Sequence, residues 1–319
     1  MATTVSAGRA GTGYRDGRYQ AANLGALLIG MVSVQVGASL AKILFPALGA
    51  AGTAGLRVLL ASAILLLVAL LVRHDRFRMP SRRAAGVILA YGVTLGVMNV
   101  VFYLALSRLP LGIVVAIEFT GPLGLALIGS RRALDLLWVA LAVAGLVLLL
   151  QPWQTAHRLD PVGVLLAIAA GGAWALYILV GRRLGRHVSG ITATALGMSV
   201  AAIVTLPVAL PALPLLTTGE AMRHWLLPAA LGMALLSSAV PYSIEMFVMQ
   251  RMSMRGFSIL MSLEPAIAAL IGLALLGEHL STLRWLAIGG IIAASLGSAA
   301  TDRPAPATSM SAGGPGPPP

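Results

Sequence analysis

The sequence contains no cysteine and little charge, and both shortages narrow the kinds of protein it can encode. Without cysteine, the 319-residue chain has no disulfide, no thiolate metal site and no cysteine nucleophile. Charged residues make up 10% of the chain and aromatic residues 5%, against 58% hydrophobic residues and a mean hydropathy of +0.92. This composition is far from that of soluble globular domains and indicates a membrane protein.

The net charge of +12 comes from arginine, since the chain has a single lysine. The arginines form short clusters between apolar runs and no basic face interleaved with aromatics, which argues against nucleic-acid binding. The sequence also lacks the H-E-x-x-H zinc motif, the Walker A phosphate loop and the G-x-S-x-G nucleophile elbow. We therefore expect no catalytic residue, no metal and no cofactor.

Ten apolar stretches approach or exceed the roughly 20 residues that a helix needs to cross a bilayer. They run from 21 to 41, 52 to 72, 84 to 106, 111 to 130, 134 to 150, 162 to 180, 190 to 210, 226 to 249, 257 to 276 and 283 to 300. If the N-terminus is cytoplasmic, the inside segments carry 16 basic residues and the outside segments 5. Because basic residues favour the cytoplasmic side, both termini are predicted there.

The two halves of the chain look duplicated. A shift of 143 residues aligns Arg108 with Arg251, Pro122 with Pro265, Gly129 with Gly272 and Asp135 with Glu278. Five crossings per half give inverted repeats, an architecture typical of transporters. The predicted fold is an all-α membrane protein of ten transmembrane helices in two inverted five-helix repeats, 21–152 and 160–300, with a cytoplasmic segment 1–20 and a disordered tail 302–319. Asp135 and Glu278 are predicted to be structural, near helix starts where the dipole favours an anion.

Five charged residues lie within the apolar stretches or at their ends, where charge is costly and usually functional: Lys42, Arg57, Glu118, Glu245 and Glu264. The topology puts the first three in the outer half of the membrane and the last two towards the inner side. Proline also frees carbonyl groups near these acids, because it cannot donate to the residue four positions earlier. The affected pairs are Pro122 with Glu118, Pro241 with Ser237 and Pro265 with Met261. Ordinary packed kinks are the alternative reading.

Several stretches resemble the EamA branch of the drug/metabolite transporter superfamily, and within it the threonine/homoserine exporters. They are QVGASLAKILFP (35–46), LPLGIVVAIEFTGPLGLALIGSRR (109–132), VPYSIEM (240–246), MSLEPAIAAL (261–270), LGEHL (276–280) and IIAASLGS (291–298). The resemblance covers about residues 20 to 300. It implies a proton-driven exporter of small amino acids in the bacterial inner membrane.

An amino acid cargo needs a cation for its carboxylate and an anion or carbonyl for its ammonium. Lys42 or Arg57 is expected to hold the carboxylate and Glu118 the ammonium. Glu245 and Glu264 are the expected coupling acids, because an apolar surrounding favours a protonated carboxyl.

Other readings of the charged residues stay open. Arg57 and Glu118 can form a structural ion pair, Lys42 can snorkel to the interface, and Glu245 can pair with Arg251 at the cytoplasmic side. Uncharged candidates for the route are polar or aromatic residues inside the spans: Gln35, Asn99, Trp174, Tyr177 and Tyr242, with Ser39, Tyr103, Ser237 and Ser238. For Trp174 and Tyr177, core packing is the competing role.

The predicted function is secondary active export of small amino acids by alternating access, coupled to protons. The alternatives are export of other small metabolites or drugs on the same fold, a passive facilitator or channel, and a membrane scaffold without transport. The expected partners are the lipid bilayer, a small zwitterionic amino acid or related metabolite, protons and, as one option, a second copy in a homodimer.

Overall fold

The computed structural model describes residues 10–72, 81–109, 111–130, 132–151, 153, 159–188, 190–214, 220–276 and 281–301, which are helical almost throughout. Six helical segments in these ranges are long and apolar enough to cross a bilayer: Ala21–Ala38, Leu44–Leu71, Arg82–Leu106, Pro161–Leu184, Gly190–Ala212 and Trp225–Met249. Three apolar helices are shorter: Ile117–Gly129, Ala133–Leu149 and Thr282–Ser298. The predicted all-α membrane protein is confirmed. The predicted tail 302–319 and Glu278 lie outside the described residues.

Helix α1 (Ala10–Val72) contains the first two predicted crossings in one element that is interrupted at Gly49. Gly49 has a φ of 68° and a ψ of 162°, which glycine adopts without the strain that a side chain would bring. Pro46, in the connection that the predicted spans leave between 41 and 52, lies inside the helix, because a proline removes one backbone hydrogen bond without reversing the chain. The helix also begins at Ala10, inside the segment expected to precede the first crossing.

The next three helices begin at recognisable caps or short turns. Helix α2 (Arg82–Leu106) follows Ser81, whose hydroxyl accepts a hydrogen bond from the backbone N–H of Ala84 at 3.3 Å. Helices α3 (Leu111–Gly129) and α4 (Ala133–Leu150) come next. In the first turn of α4, Asp135 accepts a hydrogen bond from the backbone N–H of Arg132 at 3.3 Å. The predicted structural role of Asp135 is therefore confirmed.

The second half starts with α5 (Pro161–Leu184) and α6 (Gly190–Ala209). Asp160 caps α5 by accepting the backbone N–H of Val162 at 2.9 Å, and it also accepts from Arg108 Nη1 at 2.9 Å. The Arg108 hydrogen bond, helped by the Val162 N–H, holds the pKa of Asp160 below its ordinary value. A lowered pKa means that this contact persists at neutral pH and is lost only in acid, as the pH falls through that lowered value.

The last helices are interrupted in two ways. Helix α7 (Glu220–Ala234) passes through a π-helix (Leu235–Ala239) into α8 (Val240–Met249) with no non-helical residue between them. Helix α9 (Met254–Leu260) is separated from α10 (Leu263–Leu276) by a turn at Met261 and Ser262, just before Pro265. Helix α11 (Thr282–Thr301) ends the described chain.

The two halves interlock along close helix crossings. Helix α1 packs against α6, α7 and α8, α2 against α5 and α6, α3 against α5, and α4 against α11. A methyl group built on Gly92 of α2 would lie 2.5 Å from the carbonyl oxygen of Gly197, and one on Gly96 would lie 2.8 Å from Val204 Cβ. Gly92 and Gly96 have the G-x-x-x-G spacing that allows helices to pack closely, and here they allow α2 to approach α6.

The outer surface of the bundle is apolar, as a lipid-facing surface should be. Large side chains that are two-thirds or more exposed occur on several helices: Leu71, Ile128, Leu165, Ile203 and Leu286. A soluble protein rarely leaves so many large apolar groups uncovered. These residues are covered by hydrocarbon once the protein is in a bilayer.

A buried ion pair joins the two halves at the end of the bundle where α4 and α9 begin. Arg255 Nη1 donates to Asp135 Oδ1, and the side chains are 9% and 10% exposed. Arg255 is one of the 16 basic residues predicted on the cytoplasmic side, and its pairing with Asp135 was not predicted from the sequence. A signal that could have found it is the position of both residues on the same predicted side of the membrane.

The closest backbone approach on which the fold depends is between α3 and α5. A methyl group on Gly121 would lie 1.9 Å from the carbonyl oxygen of Gly171, and one on Gly171 would lie 2.6 Å from the carbonyl oxygen of Glu118. Gly124 and Gly172, on the same two helices, have no atom within 4 Å of such a methyl group.

We predict that Gly121→Ala and Gly171→Ala each lower the melting temperature of the purified protein in detergent, because the helices must separate to admit the methyl group. Overpacking of this kind costs about 1–3 kcal/mol. Gly124→Ala and Gly172→Ala are the matched controls and should melt at or above the wild-type temperature. Equal melting of all four variants would show that α3 and α5 do not cross this closely.

Candidate functional site

The guanidinium of Arg57 lies at the centre of a buried polar cluster. Arg57 is 8% exposed on the second part of α1. Its Nη2 donates to Asn99 Oδ1 on α2, and its Nη1 donates to the backbone carbonyl of Ser237 at 3.4 Å. The ring of Tyr103 lies 5.0 Å from Arg57 Cζ, within range of a cation–π contact. The cation thus ties α1, α2 and the π-helix together.

The carbonyl of Ser237 is accessible to Arg57 because of the local sequence around it. Pro241 has no N–H to donate to the carbonyl four residues earlier, which is that of Ser237. The π-helix that contains Ser237 is a second local departure from α-helical hydrogen bonding, and such bulges often occur at functional sites. On the other side, Ser33 Oγ donates to the carbonyl of Leu236 at 2.6 Å. Side chains of α1 therefore satisfy two carbonyls of this segment.

Asn99 links Arg57 to an aromatic cluster. Its Nδ2 donates to the Leu95 carbonyl at 2.8 Å and to the Tyr242 hydroxyl at 3.3 Å. The ring of Tyr242 lies 5.8 Å from that of Tyr177, which lies 5.2 Å from that of Tyr91. The three tyrosines come from α8, α5 and α2, so the cluster again spans the two halves.

Glu245 is held by this aromatic cluster. Its Oε2 accepts a hydrogen bond from the Tyr177 hydroxyl at 3.0 Å, and Glu245 is 9% exposed. Burial of Glu245 against Tyr177 differs from the alternative that placed this acid at the cytoplasmic interface with Arg251. Tyr177 is therefore a partner of a predicted coupling acid as well as a packed core residue.

Glu264 stands in the first turn of α10, directly after the helix break at Met261 and Ser262. The partial positive charge of a helix N-terminus favours an anion at such a position. Glu264 and Glu245 both line a small cavity of about 10 Å³, which has room for about one water molecule. The rest of the lining comes from Leu27, Gly30, Met31, Val34, Ile244 and Met261. Glu264 also lies within electrostatic range of Glu245 and of Glu118.

Glu118 is buried at 7% exposure on α3, and Arg57 and Glu264 are the charged groups that act on it electrostatically. Among the described residues the direct ion pairs join Arg108 to Asp160 and Arg255 to Asp135, so Arg57 and Glu118 do not form one. The Glu118 carbonyl that Pro122 leaves without its helical donor is covered by the backbone of Gly171. That carbonyl therefore contacts the backbone of α5, in the geometry of the Cα–H···O contacts that occur between packed helices.

The remaining candidates lie outside the cluster or outside the described side chains. Trp174 is 8% exposed and packs edge to face on Phe119, with 5.7 Å between the two ring centroids. Its contacts therefore fit core packing, the role that competed with lining the route. Gln35 is half-buried on α1. The side chains of Lys42 and Ser39 are not among those that the structure describes. Glu264, predicted at the inner level of the membrane, lies within electrostatic range of Glu245 at that level and also of Glu118, predicted at the outer level.

The arrangement brings together one cation, three carboxyls and several neutral hydrogen-bonding groups inside an apolar bundle. Such a site can bind a small molecule that carries both charges, and its carboxyls can take up and release protons. Among the described residues no group of three or more histidine, aspartate or glutamate side chains is placed to hold a metal ion.

Comparisons with known proteins agree on one kind of molecule. Residues 161–299 match the EamA-like transporter family. The chain is 46% identical over 278 residues to the threonine/homoserine exporter RhtA of Escherichia coli K12, covering 87% of this chain and 91% of the relative. It is 46% identical over 281 residues to the protein of that name in Salmonella typhimurium LT2, with 88% and 92% covered.

A more distant relative and a solved structure extend the comparison. The uncharacterized inner membrane transporter YedA of Escherichia coli K12 is 30% identical over 247 residues, covering 75% of this chain and 78% of the relative. A solved crystal structure that is 19% identical has a TM-score of 0.63 and covers 87% of this chain and 96% of its own. That likeness supports the helical fold.

Proposed function

This chain belongs to the EamA-like transporter family, and from that premise we propose that it is a secondary exporter of small amino acids such as threonine and homoserine. Its location is the bacterial inner membrane, and it is a transporter and not an enzyme. The observation that carries the proposal is 46% identity over 87% of the chain to an exporter of these two amino acids.

The chemistry of the buried cluster supports a zwitterionic cargo. Arg57 is a buried cation whose direct contacts are neutral, so its charge is suited to bind the carboxylate of the cargo. Glu118, within electrostatic range of that cation, suits an ammonium group. Lys42 remains a second candidate for the carboxylate on the basis of its position in the sequence. A small amino acid matches this pair of opposite charges.

Proton coupling through Glu245 and Glu264 is proposed on the geometry of the cavity that both acids line. Two carboxyls within electrostatic range of each other do not readily ionise together, so one proton is held more easily by the pair than by an isolated carboxyl. Buried acids of this kind mark proton relays in membrane transporters. The Tyr177 hydroxyl, which donates to Glu245, orients one member of the pair.

The architecture that we propose is ten crossings in two inverted repeats with both termini cytoplasmic. In the proposed repeat, α2 corresponds to α7 with α8, and α5 corresponds to the first part of α1. Helix α2 packs on α5, and α7 and α8 pack on α1, so equivalent helices make equivalent contacts. Two ion pairs also join residues predicted on the same side of the membrane: Arg108 with Asp160 outside, and Arg255 with Asp135 inside. Rocking of the two repeats about the central cluster would expose it to each side in turn.

We predict that the purified protein in proteoliposomes moves radiolabelled threonine and homoserine saturably and that an imposed pH gradient drives this flux. Glu245→Gln and Glu264→Gln should lose the response to the gradient, because a glutamine cannot carry the proton. Asp160→Asn is the matched control, since it removes an acid at an exposed helix cap. Flux that ignores the gradient in the wild-type protein would leave a passive facilitator, and unsaturable flux would indicate a channel.

The proposed topology can be tested with single cysteines. Because the natural sequence has no cysteine, they can be introduced one at a time. Exposed positions suited to the substitution are Ser81, Ser107, His187 and Ser281. In intact inner-membrane preparations of known orientation, a membrane-impermeant thiol reagent applied from the outside should label cysteines at 107 and 281 but not at 81 and 187. Labelling of 81 or 187 from that side contradicts the proposed inverted arrangement.

A further inference from the structure

Arg57 is a buried cation with neutral direct partners. Of its five N–H donors, one bonds to the amide oxygen of Asn99 and one to the carbonyl of Ser237, while Nε is buried without a hydrogen-bond partner. The third contact is the ring face of Tyr103. A buried arginine normally has a carboxylate against it, because an uncompensated charge in an apolar surrounding is costly.

We propose that Asn99 determines the specificity of the site for cargo with a carboxylate, by holding Arg57 in place with a neutral group and so leaving its positive charge for the cargo. This inference rests on the proposed export of amino acids and adds to it the residue that selects the anionic end. Asn99 acts on the cargo through Arg57 and is a positioning residue.

The orientation of the Asn99 amide is fixed by its neighbours. The Leu95 carbonyl can only accept a hydrogen bond, so the group that faces it at 2.8 Å must be the amide nitrogen. The amide oxygen is then the end that faces Arg57, which can only donate. Asn99 is 2% exposed, so water does not compete for either end.

The same geometry shows why the neutrality of residue 99 matters. Aspartate has nearly the shape of asparagine and would place an anion on Nη2, which would occupy the guanidinium with a charge-assisted bond. The cargo would then have to displace a carboxylate that is already in contact. Arg57 has further N–H donors, Nε among them, that the bonds to Asn99 and Ser237 do not use. These donors are sufficient to bind a carboxylate in a bidentate manner.

A purely structural role for Asn99 makes the opposite prediction. If Asn99 only ties Arg57 to α2, a carboxylate at this position serves better than a methyl group, because both lose the hydrogen bonds from Nδ2 but the carboxylate gives the buried cation a counter-charge. Stability and transport should then change together. If Asn99 leaves the charge available to the cargo, stability and transport should change in opposite directions.

The test compares Asn99→Asp with Asn99→Ala in the full-length protein, measuring melting temperature in detergent and threonine flux in proteoliposomes. We expect Asn99→Asp to melt above Asn99→Ala, since both variants lose the hydrogen bonds from Nδ2 and only aspartate gives the buried cation a counter-charge. We expect Asn99→Asp nevertheless to lose threonine flux by at least about tenfold, more than Asn99→Ala does. We expect Asn99→Ala to melt below the wild-type protein as well. Asn99→Asp with wild-type flux would overturn the proposal.

A second measurement uses the wild-type protein and does not depend on the assembly of a variant. Threoninol, which carries a hydroxymethyl group in place of the carboxylate, should compete with labelled threonine at least about tenfold more weakly than unlabelled threonine does. Equal competition overturns the role of Arg57 and Asn99 while leaving export intact. A wild-type protein without threonine or homoserine flux contradicts the proposed function itself, and this proposal with it.

Discussion

The buried guanidinium of Arg57 is the group around which the rest of the site is organised. It contacts Asn99 on α2 and Ser237 in the π-helix, and it acts electrostatically on Glu118. Since an apolar bundle cannot solvate a cation, each of these neighbours must supply an acceptor, a ring face or a compensating charge. The helices that meet at Arg57 come from both halves of the chain, so a conformational change between the halves alters the surroundings of this charge.

Three departures from regular α-helix give the cluster its shape. Gly49 interrupts α1 where a left-handed φ is needed, the π-helix directs the Ser237 carbonyl towards Arg57, and the break before Pro265 starts a new helix whose first turn contains Glu264. Elsewhere, glycine pairs such as Gly121 with Gly171 allow helices to approach until their backbones touch. Close crossings fix the distances between polar groups, while the interrupted helices supply unpaired backbone groups and places where the bundle can bend.

Features that depend on a local stretch of the chain, such as its apolar length or a charge within it, could be predicted from the sequence. Apolar length identified the six helical segments that are long enough to cross a bilayer. Charge in an apolar setting identified Arg57 and the three acids that the structure brings into electrostatic range. Pairings between distant residues could not be predicted in this way. The Tyr177–Glu245 and Arg255–Asp135 contacts depend on which helix faces which, and the break at Gly49 depends on a backbone conformation that the apolar pattern of the chain does not specify.

The central claim is that these buried charges form a binding site for a zwitterionic cargo between the two halves. A structure determined with bound threonine at high concentration, in lipid nanodiscs, tests it most directly. The account predicts the carboxylate of threonine on the guanidinium of Arg57 and the ammonium group among Glu118, Glu245 and Glu264. Threonine bound elsewhere, or a cluster whose charges stay closed on one another while cargo is bound, would contradict it.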